Sequence, residues 1–202
     1  MTNREKGRWK KEQGRKNPGF TEFRVTKLLT DKYFKMPSEI EHKNSDDRRW
    51  MKEALKEAKL AYKKKEVPVG AVVVYEDKII GRGHNQVESL KDPTAHAEIL
   101  AIGAASNFLG SWRLSQASIY VTVEPCIMCA GAIILSRIDR LIFGTKDPKA
   151  GACGSLYNLV QDIRLNHQVQ IVTDVLKEEC AFLLDSFFKE IRKKNSDESN
   201  QS

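Results

Sequence analysis

Two short stretches of this chain carry residue types that could do chemistry together. Pro125-Cys126-Ile127-Met128-Cys129 sets two thiols three residues apart. A Cys-x-x-Cys pair has two ordinary uses, as a redox couple or as metal ligands. On a helix, positions i and i+3 share a face, so both sulfurs can reach one ion. Pro125 suits a first helical turn, where its missing N–H costs nothing, and the free amides and dipole there favour thiolates. Alone, the pair leaves both uses open. Thr94-Ala95-His96-Ala97-Glu98 supplies the rest. With Cys126 and Cys129, the His96 imidazole makes three ligands, the number a catalytic zinc keeps so that a water takes the fourth place. Two thiolates, a neutral imidazole and Zn²⁺ carry no net charge. The ion can then lower the pKa of bound water from about 16 toward about 7. Glu98 is too close to His96 to be a natural fourth ligand and is placed to take a proton from that water. Separately, His96 reads as a helix-cap histidine and Glu98 as a helix N-terminal charge. Only the metal reading gives all four residues a task.

The elements around them follow from periodicity. Ser45-Asp46-Asp47 looks like a helix start, with acids favoured in the first turn. Trp50, Met51, Ala54, Leu55, Ala58, Ala61 and Tyr62 then recur at helical spacing as far as Lys63-Lys64-Lys65, ahead of Pro68. Residues 69–75 and 78–83 read as a β-hairpin about the acidic turn Glu76-Asp77-Lys78. A loop runs through Asp92-Pro93, and residues 94–105 read as a helix with Thr94 as N-cap. Residues 117–123 form a buried strand leading into a helix over 126–136. Residues 140–144 and 169–172 are further strands, with loop and a short helix over 145–166 between them. An amphipathic helix over 178–194 closes the chain, and the polar tail 195–202 is expected to fray. This order predicts an α/β layered domain whose five-stranded sheet mixes antiparallel and parallel pairs. Both motifs fall at strand-to-helix transitions, where sites form in open α/β sheets. Cys153, in a Gly-rich turn, and Cys180, on the apolar face of the last helix, read as small buried hydrophobes. A four-cysteine structural zinc would leave His96 and Glu98 without a role.

Composition excludes several classes. The chain has 202 residues, 41% of them apolar and 30% charged, enough apolar content for a core. It has no apolar run of the roughly 18 residues that a membrane helix needs, and its N-terminal charges are not followed by the apolar stretch of a secretory leader. Four cysteines are too few for a disulfide scaffold. The net charge of +7 lies entirely in residues 1–35, which hold 11 Lys/Arg against 4 Asp/Glu and leave 23 of each for the remainder. Such an arm suits a polyanion such as RNA, or is a solvated, flexible tail. If Met36 is the true start, the excess charge vanishes. The acids Glu5, Glu12, Glu22 and Asp31 argue against an organelle transit peptide, so a cytoplasmic address is expected.

The H-x-E…P-C-x-x-C pattern is the known signature of zinc-dependent nucleobase deaminases. The resemblance extends beyond it. Glu66-Val67-Pro68-Val69-Gly70-Ala71, Gly83-His84-Asn85, Asp92 to Glu98 and Glu124 to Ala132 are similar to the bacterial tRNA-specific adenosine deaminases. So are Ser136-Arg137-Ile138, Gly144 with Asp147 and Lys149, Gly154-Ser155, Leu165-Asn166-His167 and Phe187-Phe188-Lys189. The match spans residues 46–194. It sets apart a basic extension, 1–45, which matches nothing recognisable, and the tail 195–202. The resemblance implies a three-layer α/β/α cytidine-deaminase-like fold and conversion of adenosine to inosine at wobble position 34 of a tRNA anticodon. It implies one Zn²⁺ per subunit on His96, Cys126 and Cys129, with Glu98 as proton shuttle. It also implies that Asn85 hydrogen-bonds the flipped purine, that Asp147 and Lys149 contact neighbouring nucleotides, and that the enzyme is a homodimer sharing the anticodon loop. Where the bacterial members often carry an aromatic before the Asn, this chain has His84. Phosphate contacts are expected from Lys146 and Lys149, with Arg192, Lys193 and Lys194 either joining them or only facing a helix C-terminal dipole. Phe182, Leu183 and Phe187 are expected in core or dimer contacts. The nearest rival is a small-molecule deaminase acting on free guanine, cytosine or a nucleotide, which shares the zinc site. A non-catalytic zinc-stabilised RNA-binding subunit would lack Glu98, and a redox protein gives His96 and Glu98 no task.

Overall fold

The computed structural model describes residues 37–199. The basic segment, Met36 and residues 200–202 lie outside the described residues. The chain divides into units 1–39 and 40–202, and the first contributes only the opening residues of the first helix to the described part. In chain order the elements are α1 (Pro37–Lys63), β1 (Gly70–Tyr75), β2 (Lys78–His84), α2 (Val87–Leu90) and α3 (Ala97–Leu109). Then come β3 (Ser118–Val123), α4 (Ile127–Leu135), β4 (Arg140–Thr145), a 3-10 turn (Leu159–Gln161), β5 (Gln170–Val172) and α5 (Lys177–Ser199).

The sheet order is β2-β1-β3-β4-β5. β1 is antiparallel to both neighbours, and β3, β4 and β5 run parallel. The β1–β2 hairpin closes through Glu76 and Asp77, both at positive φ (47° and 57°), the backbone of a type I′ turn. Side chains alternate between two cores. Ala71, Val73, Ile119, Val121, Leu141 and Phe143 face one way, against Ala97, Ala101 and Ala105 of α3 and Ala130, Ile133 and Ile134 of α4. Val72, Val74, Tyr120 and Ile142 face the other, against Trp50, Met51, Ala54 and Leu55 of α1 and Cys180 of α5. Helices cover both faces, so the central strands are buried on both sides and mostly apolar, and the expected three-layer α/β/α architecture with a mixed five-stranded sheet is present.

α3 lies unusually close to its strand. A Cβ at Gly83 would stand 2.2 Å from the Ala97 carbonyl oxygen. Any side chain there would lift the start of the helix that carries His96 and Glu98.

Several boundaries differ from the sequence expectation. α1 begins at Pro37, not at Ser45. Proline is favoured at a first helical position, and neither proline nor glycine interrupts the chain before Pro68. Asp47 is not a first-turn acid: it is buried and accepts hydrogen bonds from Tyr120 Oη (2.8 Å) and Arg140 Nη2 (3.1 and 3.3 Å). The loop expected after β2 contains the one-turn helix α2. Thr94 does not cap α3. Its N–H and hydroxyl both donate to Asp92 Oδ1 (2.8 and 2.7 Å), so the chain turns there and the cap is His96. α5 continues through Ser199, so residues 195–199, expected to fray, are helical. Phe187 is buried and meets Tyr62 edge-on, Leu183 packs on the second core, and Phe182 is exposed.

Candidate active site

The two motif stretches meet at the carboxyl end of β3. His96 is the N-cap residue of α3, and Glu98 lies in that helix's first turn. Cys126 is the N-cap of α4, so the helix begins one residue later than the expected span of 126–136 and Pro125 stands before it, and Cys129 lies a turn further on. Two helix N-termini therefore converge, each favouring negative charge. The ligand atoms of His96, Cys126 and Cys129 all lie within 4.8 Å of one another, the one such group among the described residues. His96 Nδ1 is 3.7 Å from Cys126 Sγ and 3.5 Å from Cys129 Sγ. A tetrahedral ion with bonds of about 2.3 Å to sulfur and about 2.0 Å to nitrogen separates two such ligands by roughly 3.6 Å. The three residues fit a zinc-sized cation without rearrangement.

The electrostatics suit the same ion. The Cys129 thiol holds Cys126 down to about 4, helped by His96 and opposed by burial. Cys129 is pushed far above the ordinary thiol value by the Cys126 sulfur and by burial. The hydrogen bond to Cys126 raises the His96 pKa against the effect of burial. Thiols in this state exchange protons for a soft divalent cation. Glu98 is 3% exposed, and burial pushes it up to about 7, with the Cys126 sulfur adding to the rise and its own amide and His96 opposing it. A carboxyl at that value can both take and give a proton near neutral pH.

His96, Glu98 and Cys126 open onto a cavity of about 330 Å³ that Asn85 and Asp147 also line. That is the size of a small-molecule site, not of a bare ion site. Lys146 and Lys149 are exposed on the loop after β4, outside the cavity wall. Arg192, Lys193 and Lys194 are exposed near the end of α5, and Lys194 lines instead a cleft with Tyr62, Lys65 and Phe187. His84 does not line the cavity. Its Nδ1 meets Glu57 Oε2 (3.2 Å) and its Nε2 meets Lys64 Nζ (2.9 Å), so it is held against α1. Cys153 and Cys180 are buried free thiols, as expected.

Two wall residues were not singled out from the sequence. Glu66 is 1% exposed and accepts hydrogen bonds from Ser89 N (2.7 Å), Ser89 Oγ (2.8 Å), Glu88 N (3.2 Å) and Asn85 Nδ2 (3.4 Å). It thereby fixes Asn85. Burial raises its pKa, but these bonds outweigh burial and hold it below the usual carboxylate value. Glu124 accepts from the amides of Asp147, Cys153 and Ser155 and from the Ser155 hydroxyl, with the same net lowering against burial. The available signal was an acid set directly against an apolar strand, in Glu66-Val67-Pro68-Val69 and in Val123-Glu124-Pro125.

Comparison with known proteins agrees first on the class. The family model described as MafB19-like deaminase matches residues 45–192. Curated relatives are more particular. A tRNA-specific adenosine deaminase of Bacillus subtilis (strain 168) is 53% identical over 150 residues, 74% of this chain and 93% of the relative. One of Aquifex aeolicus (strain VF5) is 50% identical over 143 residues, 71% of this chain and 94% of the relative. The chain belongs to the tRNA-specific adenosine deaminase family. A solved structure from a study of A-to-I editing by tRNA:A34 deaminases at the wobble position of transfer RNA aligns with a TM-score of 0.65 and 42% identity, covering 67% of this chain and 99% of that one. A guanine deaminase from Nitrosomonas europaea, at 23% identity and a TM-score of 0.61, shares the fold.

Proposed function

We propose that this protein is a zinc-dependent hydrolytic deaminase that converts adenosine to inosine at wobble position 34 of tRNA anticodons. The observation that carries this reading is the cluster of His96, Cys126 and Cys129 beside a cavity that Glu98 also lines, in a chain 53% identical over 150 residues to a tRNA-specific adenosine deaminase. His96, Cys126 and Cys129 would hold one Zn²⁺ per subunit. When bound, the zinc supplies a water acidic enough to serve as nucleophile near neutral pH. Glu98 takes a proton from the attacking water and delivers it to adenine N1 as the water oxygen adds at C6. Glu98 then carries a second proton from the new hydroxyl to the exocyclic nitrogen, the C6–N6 bond breaks, and ammonia leaves. Asn85, oriented by Glu66, hydrogen-bonds the purine, and the buried floor around Glu98 keeps bulk water from the shuttled proton. An anticodon loop presents unstacked bases, so extruding the target costs little.

Asp147 and Lys149 contact the flanking nucleotides, with Lys146 adding charge at the rim. The catalytic domain is residues 46–194, with the basic extension 1–45 and the tail 195–202 as accessories. The protein is a cytoplasmic homodimer. Exposed Ile127 and Leu135 on α4, with Leu156, Tyr157 and Ile163 on the following loops, supply apolar surface for the second subunit. Among the described residues, no helix is long and apolar enough to cross a membrane.

The test is incubation with an anticodon stem-loop carrying adenosine at the wobble position, followed by digestion and nucleoside analysis, with free adenosine, guanine and cytosine run in parallel. Inosine from the stem-loop alone is expected. Turnover of a free base without inosine would move the protein to the small-molecule branch.

A further inference from the structure

The loop over residues 147–155 supplies one wall of the cavity through Asp147 and Ala150. It is tied to the strand–helix junction that carries Cys126. The Ala152 amide donates to the Pro125 carbonyl (2.8 Å), and Cys126 and Gly151 form a β-bridge. At the centre of this seam stands Glu124, 3% exposed. Its Oε1 accepts from the amides of Cys153 (3.0 Å) and Ser155 (2.9 Å), and its Oε2 accepts from the amide of Asp147 (3.1 Å) and from the Ser155 hydroxyl. One carboxylate thus closes both ends of the loop. The wrap is tight: a Cβ at Gly151 would stand 2.4 Å from Glu124 Cδ. Asp147 in turn accepts from the amides of Lys149 (2.8 Å) and Ala150 (3.2 Å), so the hold passes to the exposed rim where Lys149 sits. A buried carboxylate is costly unless its acceptor sites are filled, and here every donor comes from the loop.

Resting on the deaminase reading above, we propose that Glu124 is a positioning residue for RNA recognition. It acts through the 147–155 loop, fixing the rim that meets the nucleotides beside the target adenosine. Proton transfer stays with Glu98.

Glu124→Gln tests this sharply. An amide keeps the side chain's shape but has one acceptor oxygen. With that oxygen toward Cys153 and Ser155, the NH₂ faces the Asp147 amide, and that end of the loop is released. On the stem-loop substrate, KM should rise by about tenfold, the effect of roughly one lost charge-assisted hydrogen bond, with kcat within about threefold and zinc content unchanged. The penalty for replacing a nucleotide next to the target should narrow in the variant, a change that general destabilisation does not produce. Ser155→Ala removes the hydroxyl donor alone and should give a smaller rise in KM, and it decides the matter if the Gln variant fails to fold. Amide hydrogen exchange at Asp147 should quicken in Glu124→Gln, and to a lesser extent in Ser155→Ala.

Unchanged KM and unchanged flanking-nucleotide penalty would overturn the proposal while leaving the deaminase reading intact. A fall in kcat at constant KM would also overturn it, because the carboxylate would then act on the chemistry. If the wild type does not deaminate the stem-loop, the deaminase reading fails and so does the role in RNA recognition. Hydrogen exchange then shows separately whether Glu124 holds the loop.

Discussion

The floor and the walls of the cavity each bury glutamate, and they treat it in opposite ways. Glu98, on the floor, has burial as its largest influence, and its pKa rises to about 7. Glu66 and Glu124, in the walls, are as well covered from solvent but set less deeply in the protein, and amide and hydroxyl donors hold their pKa values down. Burial alone therefore assigns no role to a carboxyl. Its depth in the protein and the donors aimed at it together decide whether it remains a fixed anion or stays free to exchange a proton. A site that must move protons and hold a base in register needs both kinds, and here both line one cavity.

The largest expected effect breaks the floor. Glu98→Gln should lower single-turnover inosine formation by about 10²–10⁴-fold, the usual worth of general acid–base catalysis, with zinc content unchanged by metal analysis. Wild-type-like turnover in that variant would end the proton-shuttle role. Glu66→Gln should act on the wall instead. Leaving donors of Ser89 and Glu88 unmatched should cost about 1–3 kcal/mol of stability in urea unfolding, with KM raised through the loosened Asn85. The two regions should also respond to pH with opposite signs. The folded-state pKa of Glu66 lies below its unfolded value, so its contribution is present above about pH 4.5 and is lost as pH falls further. Glu98 in chelator-treated protein keeps its proton to about 7, while the unfolded chain releases it near 4.5, so stability should fall as pH rises across that window. Unfolding midpoints from pH 3 to pH 8, with Glu66→Gln and Glu98→Gln each removing its own slope, check both signs. The smallest effect lies at the rim. Lys149→Ala should weaken stem-loop binding slightly and lower the slope of log affinity against log salt by about one, read by titration at several salt concentrations.

The clustering of His96, Cys126 and Cys129 was legible in the sequence, because residue types that can share one ion stand there at two strand-to-helix junctions, and the fold brings them together. The strands were legible because both faces of the sheet are covered, which leaves β1, β3 and β4 mostly apolar and rich in β-branched residues. Tertiary partners were not legible. Ser45-Asp46-Asp47 carries a good local helix-start signal, but Asp47 answers to Tyr120 and Arg140, 73 and 93 residues away. Thr94 is a good cap by type, yet Asp92 claims both of its donors. Glu66 and Glu124 were hidden for the same reason. Their partners are mostly backbone amides, which every residue has, so no residue type in the sequence marks them.

The two-sided sheet also bears on how this chain can drift over time. In β1, β3 and β4 each position is committed to one layer or the other, so almost no site there accepts change without a matching change in a helix. Variation should gather on the outer faces of α1 and α5 and along the rim of the cavity. Relatives can then acquire new substrates by altering loops, while the strands beneath remain nearly the same text.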